Sequence, residues 1–379
     1  MYHISIAMNA AKKTIERLID GTNITINGSN EWDIQVINDD LYARILRHGS
    51  IGLGEAYMEG WWECAAPDEL FSRVLQKRLD RSIPFNFTTF LQVARARVFN
   101  QQSRDKAREA VMRHYDIGND LYQQMLDKRM IYSCAYWEDV SNLDEAQEKK
   151  LDLICRKLKL SSGQRLLDIG CGWGGLAQYA AERYGVSVTG ITLSEPQALV
   201  ARENCRGLPV EIRVQDYRDL HEKFDRIVSV GMFEHVGYKN YASFMKVAEE
   251  NLLPDGIFLL HTIGGNETVT NIDPWINKYI FPNSVLPSLD QINKANAGRF
   301  IMEDLHNFGA YYDRTLMAWL SNFERAWQTL SQRYDNTFFR MWKYYLCMSA
   351  ATFRSKVNDL WQIVWTLPSY KGVYESVRR

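Results

Sequence analysis

The chain has 379 residues, of which 46% are hydrophobic and 24% charged, and its formal net charge is −1. These values are ordinary for globular domains and exclude the disordered and fibrous classes, while the length predicts two domains. The sequence contains neither an uncharged apolar run of about eighteen residues nor an N-terminal signal pattern, so a membrane-spanning or secreted class is not indicated.

The first hundred residues show helical patterns without regular strand signals. A glycine-rich stretch covers residues 49–62, and five apolar side chains within residues 87–98 fall on one face of a predicted helix. Between Leu70 and Tyr115 ten basic residues stand against three acidic ones, an excess of seven positive charges. Because the residues turn polar and charged near 100–106, we predict a smaller, mainly helical N-terminal domain over residues 1–103.

From Leu151 onward strand and helix signals alternate, which predicts a doubly wound α/β sheet in a domain over residues 104–379. The predicted strands are 165–169, 186–191, 210–215, 225–230 and 256–263, and the predicted helices are 174–184, 195–204 and 240–252. Residues 273–287 break this rhythm with three prolines, which suggests an inserted lid or pocket wall. Two long amphipathic patterns follow, and residues 360–365 could close the sheet.

A glycine-rich turn lies between the first of these strands and the helix after it. Gly170, Gly172 and Gly175 fit the spacing of a dinucleotide-binding turn. Asp168, however, places a carboxylate beside the turn, which would repel a pyrophosphate but suits a cofactor with an ammonium and a sulfonium group. The turn therefore predicts S-adenosylmethionine, with Asp168 and the glycines as its contacts.

The acid that usually binds ribose is missing from the end of the second strand. Residues 189–194 contain no acid there, so neutral groups such as Thr192 and Gln197 would have to hold the ribose. After the next strand, Asp216 could accept a hydrogen bond from the adenine amino group and Tyr217 could stack on the base.

Two polar residues follow other predicted strands, at the sheet edge where α/β proteins bind ligands. Glu234 comes after strand 225–230, and His261 ends the apolar run 257–260. Each alone could be a helix-start acid or a core histidine, but their shared position favours function. The aromatic segment 132–137 could be ordinary core or could stabilise a developing positive charge.

The six cysteines show no Cys-x-x-Cys pair and no regular spacing. They predict neither a metal site nor a disulfide framework, and reduced cytoplasmic thiols are expected.

With these residues assembled, the sequence resembles the cyclopropane-fatty-acyl-phospholipid synthases, including the related mycolic acid cyclopropane synthases. The resemblance is carried by residues 132–137, 167–175, 231–237, 260–263 and 307–312. Residues 60–63 look like part of the extra N-terminal domain of the bacterial phospholipid-acting branch. The resemblance implies a Rossmann-like, class I S-adenosylmethionine-dependent methyltransferase sheet.

The resemblance also implies a reaction. The double bond of an unsaturated acyl chain attacks the sulfonium methyl group, and a bound bicarbonate removes a proton from that methyl group so that a cyclopropane ring closes. The implied bicarbonate site consists of Cys134, Glu234, His261, Ile263 and Tyr312. The implied or predicted cofactor contacts are Tyr132, Ser133, Asp168, Gly170, Gly172, Gly174, Thr192, Leu193, Ser194, Gln197, Asp216 and Tyr217.

An unsaturated phospholipid substrate requires binding at a membrane surface, and the basic stretch 70–115 fits attraction to anionic headgroups. A solvated linker helix packed on the catalytic domain is the alternative interpretation of that stretch. We expect a cytoplasmic enzyme associated peripherally with the inner face of the cytoplasmic membrane. The resemblance implies a homodimer, and no nucleic-acid partner is expected.

Four other functions remain open at this point. A sister S-adenosylmethionine-dependent C-methyltransferase would leave a methyl branch or another modification on the acyl chain. A methyltransferase for small soluble molecules would need neither the N-terminal domain nor the bicarbonate residues. Asp168 and the missing ribose acid disfavour a nicotinamide oxidoreductase, and a non-catalytic lipid-binding protein would not require Glu234, His261 and Tyr312 together.

Overall fold

The structure is a computed structural model that describes residues 2–79 and 118–378. The predicted helix within residues 87–98, the predicted boundary at residue 103 and most of the basic stretch lie outside the described residues. In chain order the helices are α1 (Tyr2–Leu18), α2 (Asp40–Met58), α3 (Pro67–Gln76), α4 (Asn119–Met125), α5 (Leu143–Lys157), α6 (Gly175–Tyr184), α7 (Glu195–Asn204), α8 (Tyr241–Asn251), α9 (Pro274–Tyr279), α10 (Leu289–Asn296), α11 (Ala310–Leu330) and α12 (Asn336–Arg354). The strands are β1 (Gln35–Val36), β2 (Trp62–Glu63), β3 (Arg165–Ile169), β4 (Ser187–Thr192), β5 (Val210–Val214), β6 (Phe224–Val230), β7 (Leu252–Gly265), β8 (Ile301–Asn307) and β9 (Asn358–Thr366).

The larger compact unit is built on one sheet with the strand order β5-β4-β3-β6-β7-β9-β8. Strands β3 to β7 pair in parallel, whereas β9 is antiparallel to both β7 and β8. This is the predicted α/β fold, in the strand order of class I methyltransferases. The predicted strand 165–169 and helix 195–204 agree with β3 and α7 in both bounds.

Both faces of this sheet are buried, because alternate residues of each strand point to opposite sides. Leu167 and Phe258 belong to the core on one face, whereas Leu166 and Leu259 belong to the core on the other. The central strands therefore appear in the sequence as nearly continuous apolar runs, which is why they are easy to predict.

Two features of the sheet differ from the prediction. The segment 360–365 does form a strand, but β9 lies between β7 and β8 instead of closing the sheet. The edge strand at this end of the sheet is β8, which was not predicted. It carries exposed apolar residues, Ile301 at 50% and Met302 at 41%, among polar ones, so it lacks the continuous apolar pattern of a buried strand.

The other compact unit joins described residues 2–79 to two later segments, 272–282 and 316–357. Apart from the two-residue strands β1 and β2, its described elements are helices. Within it, Arg340 Nη2 donates to the carbonyl of Trp62 at 3.0 Å and Nη1 to Glu63 at 2.6 Å. Residues 272–282 and 316–357, which the prediction places in the domain 104–379, pack with the N-terminal residues in this unit.

Within the described part of the chain, no helix is both long enough and apolar enough to cross a membrane.

Candidate active site

The glycine turn links β3 to α6. Gly170, Gly172 and Gly174 have φ angles of 87°, 55° and 83°, a region that side chains disfavour. A Cβ on Gly170 would lie 2.7 Å from Cβ of Met232, whereas no heavy atom lies within 4 Å of a Cβ built on Gly172. The turn thus needs glycine for its conformation, and it leaves the backbone open to a ligand at Gly172.

Asp168 lies one residue before the end of β3 and is only 2% exposed. Its Oδ2 accepts no hydrogen bond from the described residues. Burial raises the pKa of this carboxyl to about 7, and the positive charge of Lys150 opposes the rise. A buried carboxylate oxygen without a partner, beside an open glycine backbone, fits a cofactor that brings cationic groups and no phosphate.

The neutral residues at the end of β4 form a small hydrogen-bonded group. Thr192 Oγ1 donates to Gln197 Oε1 at 3.0 Å and accepts from the backbone N–H of Ser194 at 3.2 Å. Ser194 caps α7 by accepting from the backbone N–H of Gln197. The side chain of Leu193 is half-buried between them. The polar groups predicted to replace the ribose acid therefore lie together and are fixed by the start of α7.

Asp216 and Tyr217 follow β5, as predicted, but the carboxylate of Asp216 is engaged within the chain. Arg218 Nε donates to Asp216 Oδ1 at 2.8 Å, and Nη2 donates to Oδ2 at 2.5 Å. The backbone N–H of Arg218 also donates to Oδ1, at 3.0 Å, so three donors of Arg218 engage this carboxylate. The ring of Tyr217 packs edge-on against Phe244, with centroids 5.3 Å apart.

The aromatic segment 132–137 reaches the glycine turn through two edge-on or tilted ring contacts. The Tyr132 ring lies 5.2 Å from that of Tyr122, which lies 4.8 Å from the ring of Trp173 in the turn. The next residue, Ser133, is held by α5, because Lys150 Nζ donates to Ser133 Oγ at 2.9 Å and Gln147 Nε2 donates to its carbonyl at 2.9 Å.

Glu234 lies in a short 3₁₀ turn after β6, where it contacts the end of β7. The backbone N–H of Ile263 donates to Glu234 Oε1 at 2.7 Å, so two of the predicted site residues are in direct contact. Oε2 is buried and accepts no hydrogen bond from the described residues. Burial raises the pKa of Glu234 to about 7.

His261 is buried on β7 and is therefore neutral, because burial holds its pKa well below the ordinary range. Its Nδ1 lies 3.2 Å from Gln362 Nε2 on the neighbouring strand β9. With the amide as donor, Nδ1 accepts and the proton of the imidazole resides on Nε2. Nε2 is buried without a partner among the described residues, so it is a donor suited to an oxygen ligand.

The segment that contains Cys134 is hydrogen-bonded to α11, the helix that contains Tyr312. Thr315, one turn after Tyr312, donates its hydroxyl to the carbonyl of Tyr311 at 2.9 Å and accepts from the backbone N–H of Ala135 at 3.1 Å and from Trp137 Nε1 at 2.9 Å. Cys134 is fully buried, and burial raises the pKa of its thiol far above the ordinary value. This thiol stays protonated at neutral pH, so it can donate a hydrogen bond but is not a nucleophile.

Sequence analysis missed Lys150, Gln362 and Thr315, which hold the predicted residues in place. The available signals were weak. Lys150 lies in a helix rich in charged residues, and Gln362 interrupts an otherwise apolar strand. A polar residue in the middle of a buried strand does indicate a buried hydrogen bond, but it does not identify the partner.

The chain is similar in sequence to known proteins. The family model described as mycolic acid cyclopropane synthetase matches residues 102–363. The chain is 53% identical over 361 residues to the cyclopropane-fatty-acyl-phospholipid synthase of Escherichia coli strain K12, covering 95% of this chain and 94% of that protein. It is 34% identical to a probable fatty acid methyltransferase of Pseudomonas putida, covering 95% of this chain and 93% of the relative.

Solved structures show the same fold. The mycolic acid cyclopropane synthase CmaA1, in complex with SAH and CTAB, aligns with a TM-score of 0.64 at 32% identity, covering 68% of this chain and 97% of that one. The cyclopropane synthase MmaA2 from Mycobacterium tuberculosis aligns with a TM-score of 0.65 at 31% identity, covering 68% of this chain and 97% of that one.

Proposed function

This chain belongs to the family of mycolic acid cyclopropane synthetases, and we infer that it is an S-adenosylmethionine-dependent cyclopropane synthase acting on unsaturated phospholipids. The 53% identity to the Escherichia coli enzyme over nearly the whole of both chains is the observation that carries this inference. The glycine turn, with the partnerless oxygen of Asp168 beside it, supports the same cofactor from physical chemistry.

S-adenosylmethionine, when bound, supplies a methyl group on a sulfonium, which the π electrons of a cis double bond attack before loss of a methyl proton closes the ring. The residues of this chain orient the cofactor and the acyl chain and exclude water from the reacting groups. The glycine turn and Asp168 would fix the cofactor, Thr192 and Gln197 would hold its ribose, and Tyr217 would stack on the base.

We propose that the proton leaves through a bicarbonate held by Glu234, His261, Ile263, Cys134 and Tyr312. Two observations support this site. His261 Nε2 and Glu234 Oε2 are both buried without partners among the described residues, and they offer one donor and one acceptor. Bicarbonate carries both an anionic oxygen for the donor and a hydroxyl for the acceptor, so it matches this pair where a plain carboxylate would leave Glu234 unsatisfied.

Glu234→Gln tests this role. The variant is expected to lose activity through weaker binding of bicarbonate, so added bicarbonate should restore part of the rate while the affinity for S-adenosylmethionine stays unchanged. If bicarbonate restored nothing and the cofactor affinity collapsed, Glu234 would belong to the cofactor site instead.

A second candidate is favoured by the name of the Pseudomonas putida relative. Methyl transfer without ring closure would leave a methyl branch on the acyl chain. Mass spectrometry of lipids from cells expressing the protein separates the two reactions. A cyclopropane product gains one CH₂ unit and loses its reactivity as an alkene, whereas a methyl-branched product that retained the unsaturation would support the alternative.

For membrane access we propose surface binding by the N-terminal unit and the basic stretch 70–115, in a homodimer on the cytoplasmic face of the membrane. The excess of seven positive charges in that stretch supports attraction to anionic lipid. Co-sedimentation with anionic vesicles should fall as salt is raised, and light scattering of the purified chain should give the mass of a dimer. Binding that ignored both salt and lipid charge would contradict the electrostatic mechanism.

A further inference from the structure

We propose that Lys150 is a positioning residue of the cofactor site, whose ammonium group holds Ser133 Oγ and serves as the buried counter-charge of Asp168. The inference rests on the proposed cofactor roles of Ser133 and Asp168. Lys150 belongs to none of the motifs that carry the family resemblance.

The position of Lys150 needs an explanation because a charged lysine is rarely buried without a function or a partner. Lys150 is 1% exposed, on the inner face of α5. Among the described residues, its ammonium group donates to Ser133 Oγ at 2.9 Å, which is a neutral hydroxyl and not a carboxylate. A hydroxyl does not compensate for burying an ammonium group, so the charge must be stabilised by carboxylates that lie farther away.

Two carboxylates act on Lys150 electrostatically. Asp127, before the aromatic segment, has the larger effect, and Asp168, beside the glycine turn, has a smaller one. Asp127 already accepts from the backbone N–H groups of Arg129 and Ile131, at 2.9 and 2.8 Å. Asp168 Oδ2, in contrast, has no partner among the described residues. Asp168 is therefore the acid whose charge depends most on Lys150.

The hydrogen bond also has a consequence for Ser133. Because Lys150 Nζ can only donate, it occupies a lone pair of Ser133 Oγ and leaves the hydroxyl hydrogen free to point elsewhere. Gln147, one turn earlier on α5, holds the Ser133 carbonyl. Helix α5 thus fixes both the backbone and the hydroxyl of Ser133, with the hydroxyl turned into a donor for an anionic group such as the carboxylate of the cofactor.

Apart from Asp127, the other titratable groups around Lys150 and Asp168 stay neutral near pH 7. The groups that face Asp168 or Lys150 are Asp127, Cys134, Cys155, Cys171, Cys205 and His261. Burial raises the pKa of each of these thiols, that of Cys205 to about 11, and lowers the pKa of His261. Asp127 is the exception, with a pKa of about 6. Lys150 is the nearby positive charge available to keep Asp168 ionised.

The test is binding of S-adenosylhomocysteine to the full chain, measured by calorimetry from about pH 6 to about pH 8.5. Burial lowers the pKa of Lys150 to about 8, so the transition of Asp168 in the wild type is read below about pH 7.5. In the wild type, affinity should fall as pH drops through the pKa of Asp168, near 7. Lys150→Met should weaken binding near neutral pH by about tenfold or more and move the transition to higher pH, because loss of the positive charge raises the pKa of Asp168. Lys150→Arg should retain much of the affinity.

Lys157→Met is the matched control, since Lys157 is also fully buried on α5 but lies against Asp304 and His306. It should leave the affinity and its pH transition unchanged. In the Asp168→Asn variant the pH transition of the affinity should disappear. Adding Lys150→Met to that variant should then weaken the binding of S-adenosylhomocysteine much less than Lys150→Met does alone.

Two outcomes overturn the inference: Lys150→Met binding like the wild type at every pH, or Lys150→Met weakening binding equally with and without Asp168. Failure of the wild type to bind S-adenosylhomocysteine at all would instead contradict the proposed function. Thermal melting of each variant shows that it is folded, so a loss of affinity in a folded Lys150→Met protein cannot be assigned to unfolding.

Discussion

Gln362 lies directly opposite His261 in the antiparallel pairing of β7 and β9, with its Nε2 3.2 Å from His261 Nδ1. Both residues are almost fully buried. This contact fixes the orientation of the imidazole and selects the form in which Nε2 carries the proton. The sheet itself therefore sets the chemistry of the proposed proton-removal site.

Gln362→Leu should lower kcat by about tenfold or more while the KM for S-adenosylmethionine changes little, because the imidazole loses the partner that orients it. Gln362→Glu keeps the size and a hydrogen bond, but its carboxylate would accept from Nδ1 and shift the proton away from Nε2. Steady-state kinetics of the two variants provide the check. Full activity in Gln362→Glu would mean that Gln362 only fills space.

Glu234 carries a stability cost that depends on pH. Its pKa rises from 4.5 to about 7 in the folded protein, so folding opposes its ionisation. The cost is absent below the unfolded pKa, grows between the two values and is complete above about pH 7. Glu234→Gln should therefore raise the free energy of unfolding by at least about 1 kcal/mol at about pH 8 and by much less at about pH 4.5.

Urea unfolding of the Glu234→Gln variant at both pH values measures this difference. Glu250→Gln is the control, since Glu250 is an exposed partner of Lys246, and it should change stability by at most about 0.5 kcal/mol at either pH. A stabilisation of Glu234→Gln that did not grow with pH would contradict the buried-carboxyl explanation.

Alanine substitutions at Gly170 and Gly207 distinguish the effect of backbone strain from the effect of close packing. Both have positive φ angles, 87° and 82°, but only a Cβ at Gly170 would meet a neighbour, Met232. Gly207→Ala should cost about 1–2 kcal/mol of stability and leave cofactor binding intact. Gly170→Ala should cost more and weaken binding of S-adenosylhomocysteine, because the turn must shift. Equal effects of the two substitutions on binding would show that Gly170 is not needed for the shape of the cofactor turn.

Asp304 and Lys157 form a fully buried pair, 3.6 Å apart, and Arg378 also contacts Asp304. Asp304→Asn should lower the free energy of unfolding by about 3 kcal/mol or more, because it leaves buried positive charge without a counter-charge. Asp290→Asn, in an exposed pair with Lys294, should cost at most about 1 kcal/mol. Chemical denaturation of both variants is the measurement, and similar losses would contradict the role of burial.

How far the sequence predicts this molecule depends on the local strength of its patterns. Strands β3, β4, β6 and β7 are predictable because both of their faces are largely buried, so they appear as mainly apolar runs. Strand β8 is not predictable, because this edge strand has a mixed pattern. The assignment of α12 to the N-terminal unit is not predictable either, because an amphipathic helix does not specify which surface covers it.

The residues of the candidate site also fall into two groups, those with a local sequence signal and those without one. The glycine turn has a local signal, and Glu234 and His261 follow strands, so their placement at one edge of the sheet is predictable. Lys150 and Gln362 act through partners 17 and 101 residues away in sequence. Only the folded sheet and α5 bring these residues together with Ser133 and His261, and no local pattern records such pairs.

The central claim, methylene transfer with loss of one methyl proton, is tested most directly with S-adenosylmethionine carrying a fully deuterated methyl group. The purified chain is incubated with this cofactor, bicarbonate and vesicles of an unsaturated phospholipid, and the acyl chains are analysed by mass spectrometry. The account predicts a product with a ring in place of the double bond and two of the three deuterium atoms retained. A product retaining all three deuterium atoms, or no modified lipid at all, would contradict it.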